Sequence, residues 1–347
     1  MRIGPIEIGA EHPPLVIAEL SGNHNQSLER ALELVEAAAE SGVRAIKLQT
    51  YTPDTITLDS DKPGFIIADE SSPWSGRNLY QLYKEAHTPW EWHKPIIDRA
   101  SELGMLWFSS PFDETAVEFL EQLNAPAYKI ASFENCDLEL IKKVVSTGKP
   151  IILSTGMASL SELDQAVETV RSGGCDEFAL LKCTSTYPAN PRSSNVRTIS
   201  HLREMFKCEV GLSDHTLGIG AAIAAIACGA TIIEKHLTLR RSDGGVDSSF
   251  SLEPDEMRSL IVEASFAWEA LGEIFYGPTR EEEKSAMFKR SLYIAEDIEE
   301  GDLFTSRNLR SIRPGLGLPP RYIEILIGRR AKSSFKAGTP VTWDLVL

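Results

Sequence analysis

Eight short apolar runs, separated by longer segments of helical periodicity, are the feature that most restricts how this chain can fold. Each run is rich in Val, Ile or Leu and is followed by enough chain for a crossover connection, which predicts parallel strands. The predicted strands cover residues 15–19, 45–49, 106–109, 128–131, 150–154, 178–182, 209–213 and 231–235. Strand and helix alternating eight times within about 270 residues predicts an α/β fold of the (β/α)8 TIM-barrel type. An open doubly wound sheet would produce similar local patterns and is the alternative.

One connection is much longer than the others. Between residues 50 and 88 the chain has no sustained periodicity apart from a short helical patch at 79–85, and it contains Pro53, Pro63, Gly64, Pro73 and Gly76. A loop of this length after a strand end is usually functional, so we expect a lid over the active site.

The pattern changes after the last predicted helix, at 254–271. Residues 273–284, with Gly277-Pro278 and a charged run, are predicted to be a linker. Residues 285–347 contain short β segments, such as 291–295 and 303–305, and turn signals. We therefore predict a barrel domain at 1–272 and a small β-rich domain at 285–347.

The charge balance limits the kind of partner. The chain has 35 basic and 50 acidic residues, a formal net charge of −15, which argues against a sequence-independent nucleic-acid binder. An anionic substrate would therefore have to meet a local cluster of Lys or Arg. The five cysteines form no C-x-x-C pair, and no apolar run is long enough to span a bilayer, so we expect a cytoplasmic protein with reduced thiols and no membrane contact.

Polar residues follow every predicted strand. Because the carboxyl ends of barrel strands meet at one face, these side chains predict a polar cavity there. A buried charge without a partner is costly, so packing alone does not explain them. They are Glu19, Lys47, Gln49, Ser109, Ser110, Lys129, Ser132, Glu134, Ser154, Thr155, Lys182, Thr184, Ser185, Ser213, Asp214, His215, Glu234 and His236.

Two lysines supply the local positive charge that an anionic substrate would need. Lys47 and Lys129 lie at strand ends beside Ser and Thr hydroxyls, a combination that suits a phosphate or carboxylate. The alternative is that each lysine forms a structural ion pair with Glu19 or Glu234. Two lysines with several hydroxyls favour the anion-binding interpretation.

Two histidines at neighbouring strand ends are candidate metal ligands. His215 and His236 would face one cavity, and two imidazoles leave coordination positions open for water and a substrate oxygen. Glu234 and Asp214 could complete or orient that shell. A single strand-end histidine is more often a hydrogen-bonded core residue, which is the alternative for each. A non-catalytic scaffold carrying a carbohydrate-binding second domain would need neither the histidines nor the lysines.

Several ordered motifs resemble the sialic acid synthase family along nearly the whole chain. The segment from about Ser285 is similar to that family's antifreeze-like (SAF) domain. Details in and just after the predicted lid, including Thr52-Pro53-Asp54, Leu79-Tyr80-Gln81-Leu82-Tyr83 and Glu91-Trp92-His93, are most similar to the branch of the family that makes pseudaminic acid. The family motifs are IAELSGNHN at 17–25, IKLQTY at 46–51, YKIAS at 128–132, KCTSTYP at 182–188, SDH at 213–215 and EKH at 234–236.

The resemblance implies condensation of phosphoenolpyruvate with an open-chain amino sugar, with release of phosphate by C–O cleavage. It implies catalytic roles for Glu19, Glu134, His215 and His236. The two histidines would hold a divalent metal ion, with Mn²⁺ expected and Mg²⁺ or Co²⁺ as alternatives. The substrate-binding residues would be Lys47, Gln49, Lys129, Ser132, Thr184, Tyr187, Ser213, Asp247 and Arg313.

The resemblance also implies the sugar and the assembly. The lid favours 2,4-diacetamido-2,4,6-trideoxy-L-altrose as the sugar, with N-acetylmannosamine or the legionaminic acid precursor as alternatives. The protein would form a homodimer in which the SAF domain of one subunit reaches the barrel of its partner and supplies Arg313.

Overall fold

A closed barrel of eight parallel strands forms the core of the first of two compact units. The computed structural model describes residues 1–70 and 72–347, and the units are Met1–Gly272 and Glu273–Leu347. The last barrel strand pairs with the first, which confirms the (β/α)8 barrel and excludes an open sheet. A hairpin of β1 (Arg2–Ile3) and β2 (Ile6–Glu7) precedes the barrel. The barrel strands are β3 (Leu15–Glu19), β4 (Ala45–Thr50), β5 (Leu106–Pro111), β6 (Tyr128–Ile130), β7 (Ile151–Ser154), β8 (Phe178–Cys183), β9 (Glu209–Asp214) and β10 (Ile232–His236).

Helices follow each barrel strand and pack against its outer face. Their starts use local caps: the Ser27 hydroxyl accepts from the Arg30 N–H, and Ser159 and Glu162 form a reciprocal capping box. No helix within the described ranges is long and apolar enough to cross a membrane. The helices are α1 (Leu28–Glu40), α2 (Pro53–Ile56), α3 (Leu79–Ala86), α4 (Trp90–Glu102), α5 (Glu114–Gln122), α6 (Leu138–Val145), α7 (Leu160–Ser172), α8 (Thr198–Phe206), α9 (Gly220–Ala227) and α10 (Pro254–Leu271).

The amino-terminal end of the barrel has an apolar floor. Ile3, Ile6 and Ile8 of the hairpin segment form one buried cluster with the inward residues at the starts of the strands, such as Ile17 and Phe108. A separate and larger cluster lies between the strands and the surrounding helices. Because one end is filled, any cavity inside the barrel opens at the carboxyl ends of the strands.

The long connection after β4 is more ordered than its sequence predicts. It contains α2, a 3-10 turn at Pro63–Phe65 and α3, whose Asn78 side chain caps the first turn. Trp74 anchors it to the barrel by donating from Nε1 to the Val246 carbonyl at 2.7 Å. Ser71, which falls in the predicted lid, lies outside the described residues.

The second unit has its own small core. Its antiparallel strands are β11 (Ser291–Ile294) and β12 (Leu309–Ile312), and its one-turn helix is α11 (Ile323–Leu326). Leu292, Ile294, Phe304, Leu309 and Val341 are buried together. The predicted strand at 291–295 is confirmed within one residue, but 303–305 is not a strand, because Leu303 forms only an isolated bridge with Arg330.

Candidate active site

A layer of polar side chains lies directly above the apolar floor of the barrel. Side chains alternate between the inside and the outside along each strand, so residues two apart stack on the same face. Two positions beyond inward residues such as Ile17 and Ala45, the inner face becomes polar. The layer consists of Glu19, Lys47, Ser110, Lys129, Ser154, Cys183, Ser213 and Glu234, all of them buried.

Lys47 is held between two buried carboxylates. Its ammonium forms an ion pair with Glu19, lies 4.0 Å from Oε1 of Glu234 and donates to the Ser110 hydroxyl at 3.2 Å. Burial works to lower the pKa of Lys47, but the charges of Glu19 and Glu234 outweigh it and raise that pKa above its ordinary value. Lys47 is therefore charged and forms the ion pair with Glu19 that was the alternative to anion binding for this lysine.

Lys129 has a different environment. Its ammonium donates to the Ser154 hydroxyl at 2.6 Å and to the Ile130 carbonyl at 3.0 Å. Within residues 1–70 and 72–347, no carboxylate forms an ion pair with it, and burial lowers its pKa. A buried ammonium without a paired carboxylate favours an anionic ligand, because the ligand would supply the missing counter-charge.

Glu234 completes the charged layer. The Ser213 hydroxyl donates to its Oε1 at 3.0 Å. Burial works to raise the pKa of Glu234, but the charges of Lys129 and Lys47 outweigh burial and lower it. Gln49 donates to Glu19 at 3.1 Å, so the predicted residue Gln49 orients a carboxylate of the layer. The layer thus contains two ammonium groups and two carboxylates out of contact with bulk water.

The two histidines lie one step above this layer, at the ends of β9 and β10. Their ring centroids are 5.3 Å apart. His215 Nδ1 lies 3.1 Å from the Thr184 carbonyl, which leaves its Nε2 free for a ligand. His236 Nδ1 is buried with no hydrogen-bond partner among the described residues. Burial, followed by the charges of His215 and Lys47, lowers the pKa of His236 well below its ordinary value, so its imidazole is neutral.

These two imidazoles fit a divalent metal ion that keeps open coordination positions. Imidazole nitrogens without a proton are what transition-metal ions bind, and a carbonyl that orients the second nitrogen is typical of such ligands. Burial works to lower the pKa of His215, but its contacts with Cys183 and the Thr184 carbonyl raise it, so a metal ion would displace a proton from this ring. The described part of the chain has no group of three or more His, Cys, Asp or Glu side chains that could hold a metal. Asp214 does not extend the pair, because its carboxylate faces outward and accepts from Lys235 at 2.7 Å.

Asp247 approaches the histidines from the loop after β10. Its Oδ2 lies 3.7 Å from His236 Nδ1 and accepts a hydrogen bond from the Ser21 hydroxyl at 2.6 Å. Burial raises the pKa of Asp247. Ser21 also donates its backbone N–H to Glu19 at 3.0 Å, which links this carboxylate to the charged layer.

Aromatic rings surround the histidines on the side of the lid. The Tyr187 ring centroid lies 4.5 Å from that of His215, and the Phe250 centroid lies 5.0 Å from that of His236. Trp74, from the long connection after β4, packs on Tyr187 with centroids 5.4 Å apart. The rings restrict water around the histidines, which strengthens electrostatic interactions there.

Ser132 and Glu134 come from the loop after β6. The Ser185 hydroxyl donates to Ser132 at 2.9 Å. Glu134 Oε2 is buried without a partner among the residues that the structure describes. Burial raises the pKa of Glu134 to about 7, against the opposing charge of Lys129. Its carboxyl can therefore take up or release a proton near neutral pH.

Thr184 and Arg313 are the remaining predicted substrate-binding residues. The Thr184 hydroxyl faces away from the cluster, donating to the Ser193 carbonyl at 3.3 Å, so only its backbone carbonyl contacts His215. Arg313 is exposed in the second unit. Sequence reasoning gave no role to Ser21. It counted Ser110 and Ser154 among the polar cavity residues but assigned neither a partner, although the two-residue alternation along β5 and β7 places both serines on the inner face.

The ion pair of Lys47 predicts a large stability effect. Lys47→Met keeps most of the side-chain volume but leaves Glu19 buried without its cation, so the free energy of unfolding should fall by about 3 kcal/mol. The double variant Lys47→Met/Glu19→Gln should recover most of that loss, because the uncompensated charge is gone. Urea unfolding of the variants measures both values.

An exposed ion pair provides the matched control. Lys94 pairs with Asp98, and their side chains are 70% and 54% exposed. Lys94→Met should change the free energy of unfolding by less than about 0.5 kcal/mol. A Lys47→Met loss no larger than that of Lys94→Met would contradict the importance of the buried pair.

Comparison with known proteins agrees with this geometry. Residues 34–276 match the NeuB family, and residues 289–347 match the SAF domain. The chain is 43% identical over 338 residues to a pseudaminic acid synthase of Campylobacter jejuni subsp. jejuni serotype O:2, with 97% of each chain covered. It is 42% identical over 340 residues to a pseudaminic acid synthase of Helicobacter pylori, with 96% of this chain and 97% of the other covered.

A crystal structure of the sialic acid synthetase of Leptospira borgpetersenii serovar Hardjo-bovis, in complex with citrate, has the same fold. It superposes with a TM-score of 0.74 at 30% identity and covers 82% of this chain and 94% of its own. The family match spans more than half of the chain, and the relatives align over nearly all of it. The chain therefore belongs to the NeuB family of enzymes.

Proposed function

We propose that this enzyme condenses phosphoenolpyruvate, 2,4-diacetamido-2,4,6-trideoxy-L-altrose and water to give pseudaminic acid and phosphate. The observation that carries the proposal is a single cluster of buried polar side chains, at the carboxyl ends of the barrel strands, with two parts. One part contains the buried ammonium groups of Lys47 and Lys129, and the other contains the imidazoles of His215 and His236. The likeness to two pseudaminic acid synthases supports this sugar over the alternatives.

The lysine part suits phosphoenolpyruvate. Its phosphate and carboxylate would meet Lys129, which forms no ion pair with a carboxylate of the described residues, with the Ser132 hydroxyl as a neutral donor and Ser213 lining the same layer. Lys47 adds positive charge while staying paired with Glu19. Holding the enol carbon in one orientation supplies much of the rate of a bimolecular condensation.

The histidine part suits the sugar aldehyde. His215 and His236 would hold Mn²⁺, with Mg²⁺ or Co²⁺ as alternatives, and the bound ion would act as a Lewis acid on the aldehyde oxygen. Asp247, oriented by Ser21, would accept hydrogen bonds from sugar hydroxyls. Tyr187, Phe250 and Trp74 would exclude water from the carbonyl.

The condensation forms one carbon–carbon bond and breaks one carbon–oxygen bond. Carbon 3 of phosphoenolpyruvate uses its double-bond electrons to form a bond to the aldehyde carbon of the sugar, the π electrons of the aldehyde pass to its oxygen, and carbon 2 becomes electron-poor. Glu19, beside the cavity, is a negative group suited to stabilise that carbon. The oxygen of water then bonds to carbon 2 and loses a proton to Glu134. The hydroxyl so formed loses its second proton as it becomes a carbonyl, and the bond from carbon 2 to the bridging oxygen breaks with its electron pair leaving on phosphate. Of the two water protons, one ends on the former aldehyde oxygen and the other on phosphate.

The assembly proposed from the family resemblance is a homodimer with exchanged SAF domains. In it, Arg313 of one protomer would add a guanidinium to the barrel cavity of the other. What supports this is the exposure of Arg313 within its own unit, which leaves the side chain free for such a contact.

Phosphate release should depend on the sugar, on a divalent ion and on His236. With wild-type enzyme, we expect release from phosphoenolpyruvate only when both the altrose sugar and Mn²⁺ are present, and loss of release when the metal is removed with EDTA. His236→Ala removes one of two protein ligands, so it should abolish release. Its Mn²⁺ affinity, followed by the paramagnetic signal of the free ion, should fall about 100-fold or more.

His201→Ala is the control, since His201 is exposed on α8, and it should behave as wild type in both assays. Retention of phosphate release or of Mn²⁺ affinity in His236→Ala would contradict the metal assignment.

Glu134 should produce a pH dependence near neutrality. Its carboxyl faces Lys129, Lys47, Asp137 and Tyr83, and burial raises its pKa to about 7, so activity should rise with pH through that value as the base forms. Glu134→Gln should lower kcat by about 100-fold and remove that rise from the pH profile.

Glu139→Gln, at a carboxylate 78% exposed on α6, should leave the profile unchanged. Persistence of the same rise in the slower Glu134→Gln variant would show that another group titrates.

A further inference from the structure

Tyr51 lies on the inner face at the mouth of the barrel, one step beyond the residues already described. It follows β4 directly, and Lys47, Gln49 and Tyr51 are two residues apart, so the alternation of side chains directs all three inward. Tyr51 therefore lies on the same inward face of the chain as Lys47 of the charged layer, four residues further along. It is nevertheless 2% exposed, which is unusual for a polar side chain at an open barrel end.

Two aromatic neighbours fix the Tyr51 ring. Its centroid lies 5.7 Å from that of Tyr83 on α3, with the planes at 81°. It lies 5.1 Å from that of Phe112, just beyond β5, with the planes at 71°. Edge-to-face contacts on two sides restrict rotation of the ring, so the direction of its hydroxyl is set by the fold.

The hydroxyl of this locked ring has no hydrogen-bond partner. Among residues 1–70 and 72–347, no donor or acceptor is bonded to the Tyr51 oxygen. Burial, followed by the charges of Asp247, Tyr83 and Glu19, raises its pKa well above the ordinary value, so the hydroxyl keeps its proton. A hydroxyl that is fixed in direction and not paired with any described residue is expected, in a substrate cavity, to find its acceptor in the ligand.

The charges around Tyr51 distinguish between the two substrates. The carboxylates of Asp247 and Glu19 act on its hydroxyl, whereas the ammonium of Lys129 is directed to Ser154. Carboxylates repel the phosphate and carboxylate of phosphoenolpyruvate but can accept hydrogen bonds from the hydroxyl and amide groups of a neutral amino sugar. Asp247 also lies beside His236, on the aldehyde side of the cavity.

We propose that Tyr51 is a further substrate-contacting residue, whose hydroxyl donates a hydrogen bond to an oxygen of the neutral amino sugar. This inference rests on the proposed function, because it assigns the second substrate to the carboxylate-rich side of the same cavity. Tyr83 and Phe112 position the ring, and α3 of the long connection thereby contributes to sugar selection through Tyr51.

Tyr51→Phe separates this role from a structural one. The ring packing is retained and only the hydroxyl is lost, so the melting temperature should stay the same or rise. The KM for 2,4-diacetamido-2,4,6-trideoxy-L-altrose should increase about tenfold, the effect of one hydrogen bond, while the KM for phosphoenolpyruvate changes less than about twofold. The sugar alditol, which lacks the aldehyde and cannot react, should bind about tenfold more weakly by calorimetry.

Tyr293→Phe is the matched control. Tyr293, in the second unit, is 4% exposed and its hydroxyl likewise has no partner among the described residues. Its removal should leave both KM values and alditol binding unchanged.

If the wild-type enzyme is active on the altrose sugar, either of two results would overturn the role of Tyr51 without affecting the proposed function. One is a wild-type sugar KM and alditol affinity in Tyr51→Phe, and the other is a rise in the KM for phosphoenolpyruvate instead. Wild-type enzyme that neither binds the alditol nor releases phosphate would overturn the proposed function and, with it, this inference.

Discussion

The buried ion pair of Lys47 and Glu19, with Glu234 at its other side, is the interaction on which the cavity depends. Charges inside a barrel lose most of their hydration, and they stay ionised only when opposite charges and hydroxyls replace the water. Parallel register supplies this arrangement, because it places Glu19 beside Lys47 on β3 and β4. The alternation of side chains then fixes the height of the layer above the apolar floor. Lys129 forms no ion pair with any carboxylate that the structure describes, so it is the position where an anionic ligand gains most.

The site combines two chemically different parts within one cavity. The lysines and hydroxyls suit an anion, whereas the imidazoles, Asp247 and Tyr51 suit a neutral carbonyl compound with many oxygens. The aromatic rings of Tyr187, Phe250 and Trp74 adjoin the second part. Long connections on a rigid barrel can vary in sequence without altering the charged layer. The contacts proposed to select the sugar involve such a connection, the one after β4.

Much of the barrel and of the cavity could be predicted from the sequence, because strand period and strand order determine both. The eight strands are found within one or two residues of their predicted ends. The direction of individual side chains was predicted less well. Thr184 and Asp214 each lie one residue from an inward position and face outward. The Thr184 hydroxyl donates to the Ser193 carbonyl, and the Asp214 carboxylate accepts from Lys235. A one-residue offset reverses the face, and strand-end position alone does not reveal it.

Features built from distant contacts could not be predicted. The hairpin β1–β2 has two residues in each strand, too few for a recognisable alternation. Tyr51 was visible in a family motif, but its locked ring depends on Tyr83 and Phe112, which come from separate connections. Likewise, the neutrality of His236 follows from burial, which the sequence does not display.

The most direct test of the central claim is the identity of the product. Enzyme, phosphoenolpyruvate and Mn²⁺ should be incubated separately with 2,4-diacetamido-2,4,6-trideoxy-L-altrose, N-acetylmannosamine and the legionaminic acid precursor, and the products identified by mass spectrometry. If the proposed function is correct, the altrose sugar should give a product with its own mass plus that of one pyruvate. This product should form much faster than the products of N-acetylmannosamine and the legionaminic acid precursor. Faster formation of either other product would contradict the sugar, and phosphate release with no condensed product would contradict the reaction.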